Sequence, residues 1–295
     1  MRPIRLLLAA LPALVLAAAP SSAGDAAPAP AAAQKRLLLV THSGGFIHDS
    51  VGVAEDVLKE IGPKHGFTVT CYRLTNPADP AIVKKKTKGG AQGLEAYAQE
   101  FRARTGKVID QEHTGKIDKE TLKNFDVVLF FTTGNPMTEE QTRDLVAWVK
   151  AGGSFAGTHC ATDTLYGDAA YGNLIGAYFR GHPQIQQIKV HVEDPKHPAA
   201  AGFTDGMPYT DEMYVFRNAP YSRDKLHVIL SIEKGSFDMG KNLVRTDGDY
   251  AISWTRLVGK GRVFYTSLGH RKEVWKDERY QKHLFGGLNW ALGEN

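Results

Sequence analysis

The sequence predicts an α/β fold with a doubly wound, mostly parallel sheet. Residues 35–41 (KRLLLVT) and 125–131 (FDVVLFF) are short, nearly unbroken apolar runs, as expected of strands covered on both faces. Each is followed by a segment of helical spacing that stops at glycine or proline. Strand and helix patterns then alternate through the first half of the chain, which argues for parallel strands joined by helices.

In order along the chain, strand 35–41 runs into Thr41-His42-Ser43-Gly44-Gly45. Residues 49–61 place Val53, Val57, Leu58 and Ile61 at helical spacing, and Gly62-Pro63 stops them. Residues 67–72 form the second strand. From 76 to 120 the texture is charged and glycine-punctuated, with one amphipathic piece at 94–101, so this is an excursion carrying a helix rather than a domain. After strand 125–131, Thr138 opens a helix with Glu139 and Glu140 in its first turn, where negative charge suits the helix dipole. That helix buries Leu145, Val146 and Val149 and ends at Gly152-Gly153, before strand 154–156. The second half holds shorter strands at 188–192, 209–216, 227–232, 250–254 and 262–267, which extend the sheet or form an antiparallel subsheet beside it. A helix over 278–292 closes the chain.

The N-terminus reads as a targeting segment. Arg2 and Arg5 precede an apolar run at 6–19, too short for a membrane span, and Ser21-Ser22-Ala23 supplies small residues for cleavage. We expect a signal peptide over 1–23, a disordered Ala/Pro-rich leader over 24–34, a single domain over 35–295, and a periplasmic or secreted location. No later segment reaches the run of about 18 apolar residues that a membrane helix needs, so no membrane anchor is expected after cleavage. The formal charge of +4 falls to +2 without Arg2 and Arg5, and the short run Lys84-Lys85-Lys86-Thr87-Lys88 reads as a solvated loop, so no nucleic-acid partner is expected. Two cysteines, Cys71 and Cys160, do not make a disulfide framework, and whether they pair stays open.

In open α/β sheets ligands bind beyond the carboxyl ends of the strands. Five of the eleven histidines follow predicted strands there: His42, His48, His159, His182 and His270. Asn135, Asp211, Glu212 and Tyr214 share that edge, as do Gly44, Gly45, Gly134, Gly157 and Gly269, which allow backbone to approach a ligand. His191-Val-Glu193 mimics an acid/base pair but suits a solvated strand edge, and His197 reads as surface decoration of a turn. The stretch Gly157-Thr158-His159-Cys160-Ala161 raises the sharpest question, since a strand ending in a glycine turn is where α/β enzymes present a nucleophile.

Taken together, residues 37–41 running into Phe46-x-His48-Asp49, Gly152-Gly153-x-Phe155-x-Gly157-x-His159, Gly181-His182-Pro183, Asp211-Glu212-x-Tyr214, and Gly259-x-Gly261-Arg262-Val263-Phe264-Tyr265-x-x-Leu268-Gly269-His270 resemble the ThuA-like (trehalose-utilisation) family. The resemblance implies a class I glutamine amidotransferase-like, flavodoxin-like fold and a role in sugar catabolism beside oxidoreductases that make 3-keto-disaccharides. In the related amidotransferases the nucleophile is the third residue of Gly-x-Cys-x-Gly. Aligned on Gly157 that position is His159, and Cys160 falls one residue late. Imidazole can serve as acid/base or metal ligand but cannot form the acyl-enzyme, so glutamine amidotransferase activity is not expected.

The expected function is therefore an exported enzyme acting on a 3-keto glycoside or disaccharide by isomerisation, elimination or hydrolysis. The alternative is a non-catalytic sugar-binding or scaffolding protein. His159, His48 and Glu212 are the candidate acid/base residues. His42, Asp211, Tyr214, Tyr166, His182, His270 and Asn135 are candidates for substrate binding, with Trp275 a further aromatic face. No cofactor is required by the pattern, but His48, His159, His182 and Glu212 form a donor set that a divalent metal ion accepts. The expected partners are a small-molecule carbohydrate and further copies of the chain.

Overall fold

The computed structural model describes residues 33–294. The predicted signal peptide, and the predicted leader up to residue 32, lie outside the described residues.

Strand β1 (Lys35–Val40) leads through a loop into helix α1 (Ser50–Ile61), then β2 (Phe67–Tyr72). The excursion carries three helices rather than one: α2 (Pro80–Val83), α3 (Gly93–Thr105) and α4 (Lys119–Leu122). Next come β3 (Val127–Phe130), α5 (Glu139–Lys150) and β4 (Ser154–Thr158). Thr138 and Gln141 close a reciprocal capping box at the start of α5. Then follow α6 (Ala169–Ile175), β5 (Phe179–Gly181), β6 (Gln186–Val192), β7 (Met207–Asp211) and β8 (Val215–Phe216). The chain closes with β9 (His227–Ile232), β10 (Ala251–Val258), β11 (Gly261–Thr266), α7 (Lys272–Lys276) and α8 (Glu278–Leu292).

Nine strands form one sheet in the order β2-β1-β3-β4-β11-β10-β9-β6-β7. The first five pair in parallel, the flavodoxin-like arrangement, and the remaining pairs are antiparallel. The extra strands thus extend the main sheet, and only β5 and β8 stand apart as a two-stranded ribbon. Alternation in β1 shows why its sequence is apolar throughout. Leu37 and Leu39 enter a core shared with α1, α3 and α8, while Leu38 and Val40 enter a second core shared with α5 and α6.

The predicted strand 209–216 is two strands with a break at Glu212, Met213 and Tyr214. Asp211, at the end of the edge strand β7, bonds the backbone after β11, although the two strands are four positions apart in sheet order. The second half of the sheet therefore folds back and carries Glu212 to the carboxyl edge of the parallel half. Among the described residues, no helix is long and apolar enough to cross a membrane.

Candidate functional site

Strand β4 ends at Thr158 and the chain turns at once through a single 3-10 turn, His159–Thr162. His159 has φ +45°, a left-handed conformation that costs a residue with a Cβ about 1–2 kcal/mol. Hydrogen bonds hold it there. The Tyr265 hydroxyl donates to the His159 carbonyl at 2.7 Å and the Tyr171 hydroxyl to that of Ala161 at 2.6 Å. Thr158 Oγ1 donates to the Leu268 carbonyl at 2.8 Å. Gly157 is required because a Cβ there would sit 2.9 Å from both Ala161 Cβ and Ile175 Cδ1. The strained position of this elbow carries imidazole. Cys160 turns inward and is fully buried, and burial pushes its thiol well above its ordinary pKa. Cys71 is buried as well, and both cysteines are free.

His159 Nδ1 lies 2.8 Å from the Ser267 carbonyl, which can only accept, so Nδ1 carries the proton and Nε2 presents its lone pair. Around that nitrogen stand Tyr214 Oη at 2.9 Å, His270 Nδ1 at 3.2 Å and Glu212 Oε2 at 3.5 Å. His270 Nδ1 is 3.3 Å from the same carboxylate oxygen. His48 completes the group: the ligand atoms of His48, His159, Glu212 and His270 all lie within 4.8 Å of one another. This His/Glu cluster has the donors and spacing to hold a metal ion. His48 Nδ1 is buried with no hydrogen-bond partner among the described residues, as expected of a nitrogen with some other ligand to meet.

The electrostatics suit ligation. Burial pushes the pKa of His48 well below its usual value, and the neighbouring His159 and His270 charges push it further. His270 is lowered in the same way, by burial and then by His159. Both imidazoles are thus held neutral, the form that binds metals. Burial alone would raise the Glu212 carboxyl, but the surrounding His159, His270 and His182 bring it below its usual value. Glu212 is therefore an anion inside a nest of histidines.

The remaining sequence-predicted residues divide between this cluster and other places. His182, placed by sequence in the metal set, lies outside the four, and His270, read from the sequence as a substrate-binding candidate, takes its place. His182 touches the cluster from the solvent side: its Nδ1 is 2.8 Å from the Pro183 carbonyl and 3.1 Å from Glu212 Oε1. Asp211 is buried, and its two oxygens accept from the backbone N–H groups of Gly269 at 2.7 Å and Arg271 at 3.2 Å. Burial raises its pKa to about 6. Tyr214 is buried against His159, with ring centroids 4.3 Å apart.

His42 does not join the cluster. Its Nε2 bonds Asp79 Oδ2 at 3.1 Å and its Nδ1 accepts from the Thr75 backbone, so both nitrogens are committed. Asn135 is tied to the same Asp79 through its backbone and side-chain nitrogens. The closeness that glycine allows at Gly44 and Gly134 serves Asp79 rather than a ligand: a Cβ would lie 1.9 Å and 2.6 Å from Asp79 Oδ2. Trp275 is core, stacked on Phe131 with its Nε1 donating to the Gly269 carbonyl. Tyr166 is exposed but two side chains removed from His159. His191 and Glu193 are in surface ion pairs with Asp205 and Arg223. His197 is not surface decoration: it caps the turn Pro198–Ala200 and its Nε2 is buried.

Sequence reasoning missed Asp79, Asp163, Phe46 and Arg104. Phe46 packs its ring against His48 at 4.8 Å, with the Arg104 guanidinium 4.4 Å above it. Asp163 follows the elbow, and burial raises its carboxyl above the usual value. The only sequence signal for any of these was the Phe46-x-His48 spacing.

The site is thus a histidine–carboxylate cluster at the carboxyl edge of a flavodoxin-like sheet extended by antiparallel strands, with histidine at the elbow. The family model for ThuA, trehalose utilisation, matches residues 36–291, and the chain belongs to that family. A ThuA-like protein of Bacteroides uniformis is similar in structure (TM-score 0.62, 18% identity, covering 90% of this chain and 95% of that one). So is one of Parabacteroides merdae (TM-score 0.61, 16% identity, 88% and 91%). Among curated proteins there is no match.

Proposed function

We propose that the chain is a carbohydrate-active enzyme that cleaves or isomerises a 3-keto glycoside, using the histidine–glutamate cluster as a divalent-metal site. The observation that carries this reading is the convergence of His159 Nε2, His270 Nδ1 and Glu212 Oε2 within 3.2–3.5 Å of one another, with His48 beside them. A divalent ion held by these four residues would supply Lewis-acid stabilisation of negative charge on a substrate oxygen.

A ketone acidifies the neighbouring C–H, so the chain must supply a base. His182 is assigned that role. Its Nδ1–H is spent on the Pro183 carbonyl and Glu212, which leaves Nε2 as the free nitrogen of a side chain that is 43% exposed. It takes the proton from the carbon beside the keto group. The C–H electron pair forms the new C=C bond as the glycosidic C–O bond breaks, and the proton passes from His182 to the departing oxygen. In the isomerisation variant His182 returns that proton to the former keto carbon while the proton of the neighbouring hydroxyl moves to the former keto oxygen, which leaves the ketone on the adjacent carbon. His159 and His48, acid/base candidates in the sequence, are assigned to the ion, and the Ser267 carbonyl orients His159 through Nδ1. The export expected from the N-terminus fits an enzyme that meets its glycoside outside the cytoplasm.

The test is incubation of the protein with a panel of glycosides and 3-keto glycosides, followed by mass spectrometry of products with and without a chelator. The proposal expects chelator-sensitive release of the aglycone, or an isomer of unchanged mass, from 3-keto substrates only. Ligand-induced thermal stabilisation without any product would favour the sugar-binding alternative.

A further inference from the structure

We propose that Arg104 reads a carboxylate on the ligand of the cluster, so that the substrate is an acidic sugar, a glycoside carrying a uronate, rather than a neutral one. This inference rests on the carbohydrate reading above and adds the charge of the substrate to it.

Arg104 lies in the last turn of α3, within the excursion, and reaches the cluster because α3 ends on α1. A Cβ on Gly52, in the first turn of α1, would lie 2.1 Å from the Thr105 carbonyl oxygen, so the two backbones meet there directly. Lys107 pairs with Asp56 across the same junction, and Phe101, one turn back, is fully buried. Helix α1 itself starts two residues after His48. The Arg104 guanidinium is thereby carried over Phe46, with Cζ 4.4 Å from the ring centroid, and that ring is 4.8 Å from the His48 ring. Phe46 is held in turn, since Thr133 Oγ1 donates to its carbonyl at 2.9 Å.

Arg104 makes no ion pair among the described residues, and three acids of this region are committed elsewhere. Glu100, one turn back, pairs with Lys85 at 2.8 Å, Asp49 with Lys272 at 2.8 Å, and Asp56 with Lys107. Stacking on Phe46 occupies one face of the guanidinium and leaves its edge N–H groups, the fork that meets a carboxylate in bidentate geometry. The ring beneath is 53% exposed, so both groups face whatever approaches the cluster. His182 reaches the cluster through Glu212 and Arg104 reaches it through His48, so base and carboxylate reader engage different parts of one sugar.

Charge points the same way. Imidazoles bind an ion in their neutral form, so a divalent ion with Glu212 leaves one positive charge in the site, and Arg104 adds a second. Burial, the charges of His159 and His270, and then that of Arg104 lower the pKa of His48, so the Arg104 charge is felt at the cluster. A single guanidinium suits a monoanionic carboxylate, whereas a phosphate dianion is met by several donors at once.

The test is binding by saturation-transfer NMR to the full chain with Zn²⁺ present. The probes are methyl glucoside, methyl glucuronide, the neutral amide of that glucuronide, and glucose 6-phosphate. The wild type is expected to bind the glucuronide at least about tenfold more tightly than the glucoside, a ratio worth about 1.4 kcal/mol, and to bind the amide like the glucoside. Arg104→Ala should erase that ratio, Arg104→Lys should keep part of it, and Arg104→Glu should reverse it. A wild type without the preference, or a preference that survives in Arg104→Ala because the ion reads the carboxylate, would overturn the role of Arg104 and spare the carbohydrate reading. Tighter binding of the phosphate than of the glucuronide would overturn the choice of carboxylate. Absence of binding for every probe would overturn both readings.

Discussion

The carboxylate of Asp211 lies 2.7 Å from the amide nitrogen of Gly269, and its other oxygen reaches the amide of Arg271. These two bonds bracket His270, so one buried acid at the end of β7 fixes the loop that follows β11. Because Glu212 is the next residue, the same contact sets the distance between two members of the cluster. Asp211 is thus a positioning residue, acting on His270 through the backbone.

Asp211→Ala is therefore expected to destabilise the fold by about 1.5–3 kcal/mol, the range for hydrogen bonds to a charged group, and to weaken metal binding about 10–100-fold. Chemical denaturation and metal titration measure the two effects. Asp211→Asn, which keeps one acceptor oxygen, should fall between. Wild-type metal affinity in Asp211→Ala would remove its positioning role.

At the elbow, His159 and Cys160 should behave oppositely. His159→Ala is expected to lower turnover of a 3-keto glycoside at least about 10²-fold, in line with the loss of one transition-state-stabilising group. Cys160→Ala should leave kcat/KM unchanged, and the native protein should resist thiol alkylation at both cysteines because each is buried and held protonated. Rapid alkylation of Cys160 with loss of activity would reverse the assignment.

How much of this was legible in the sequence depends on how local each determinant is. The parallel strands were readable because burial on both faces removes polar residues from β1 and β3. The exchange of His159 for cysteine was readable because Gly157 fixes the register of the turn. The break between β7 and β8 was not, since Tyr209 and the apolar run from Met213 to Phe216 flank Thr210-Asp211-Glu212 closely enough to read as one strand carrying site residues. The capture of His42 by Asp79 was hidden for another reason: the two are 37 residues apart, and Asp79 sits in the charged excursion where no periodicity points inward. His270 and His182 could not be ranked by sequence, because only the fold-back of the sheet decides which reaches His159.

Acid stability should report a different cluster. Burial would raise Glu55, but hydrogen bonds from Arg73 and Lys59 outweigh it and lower its pKa to about 2. In the unfolded chain the group returns to 4.5. A depressed carboxyl stabilises the fold fully above its unfolded pKa, and the contribution is lost as pH falls from about 4.5 to about 2. Two and a half pH units at about 1.4 kcal/mol each amount to about 3.5 kcal/mol. Denaturation of the wild type across that window should show this loss, and Glu55→Gln should flatten the acid limb while lowering stability at neutral pH. An unchanged acid limb in Glu55→Gln would assign the acid sensitivity to other carboxylates.

The central claim is that His48, His159, His270 and Glu212 act together as one metal site. It is tested most directly by calorimetric titration of chelator-treated protein with Zn²⁺, alongside the His159→Ala and Glu212→Gln variants. The account predicts one equivalent bound per chain in the wild type and in Cys160→Ala, and loss of that equivalent in both cluster variants. Absence of stoichiometric binding to the wild type, or binding that survives both substitutions, would contradict it.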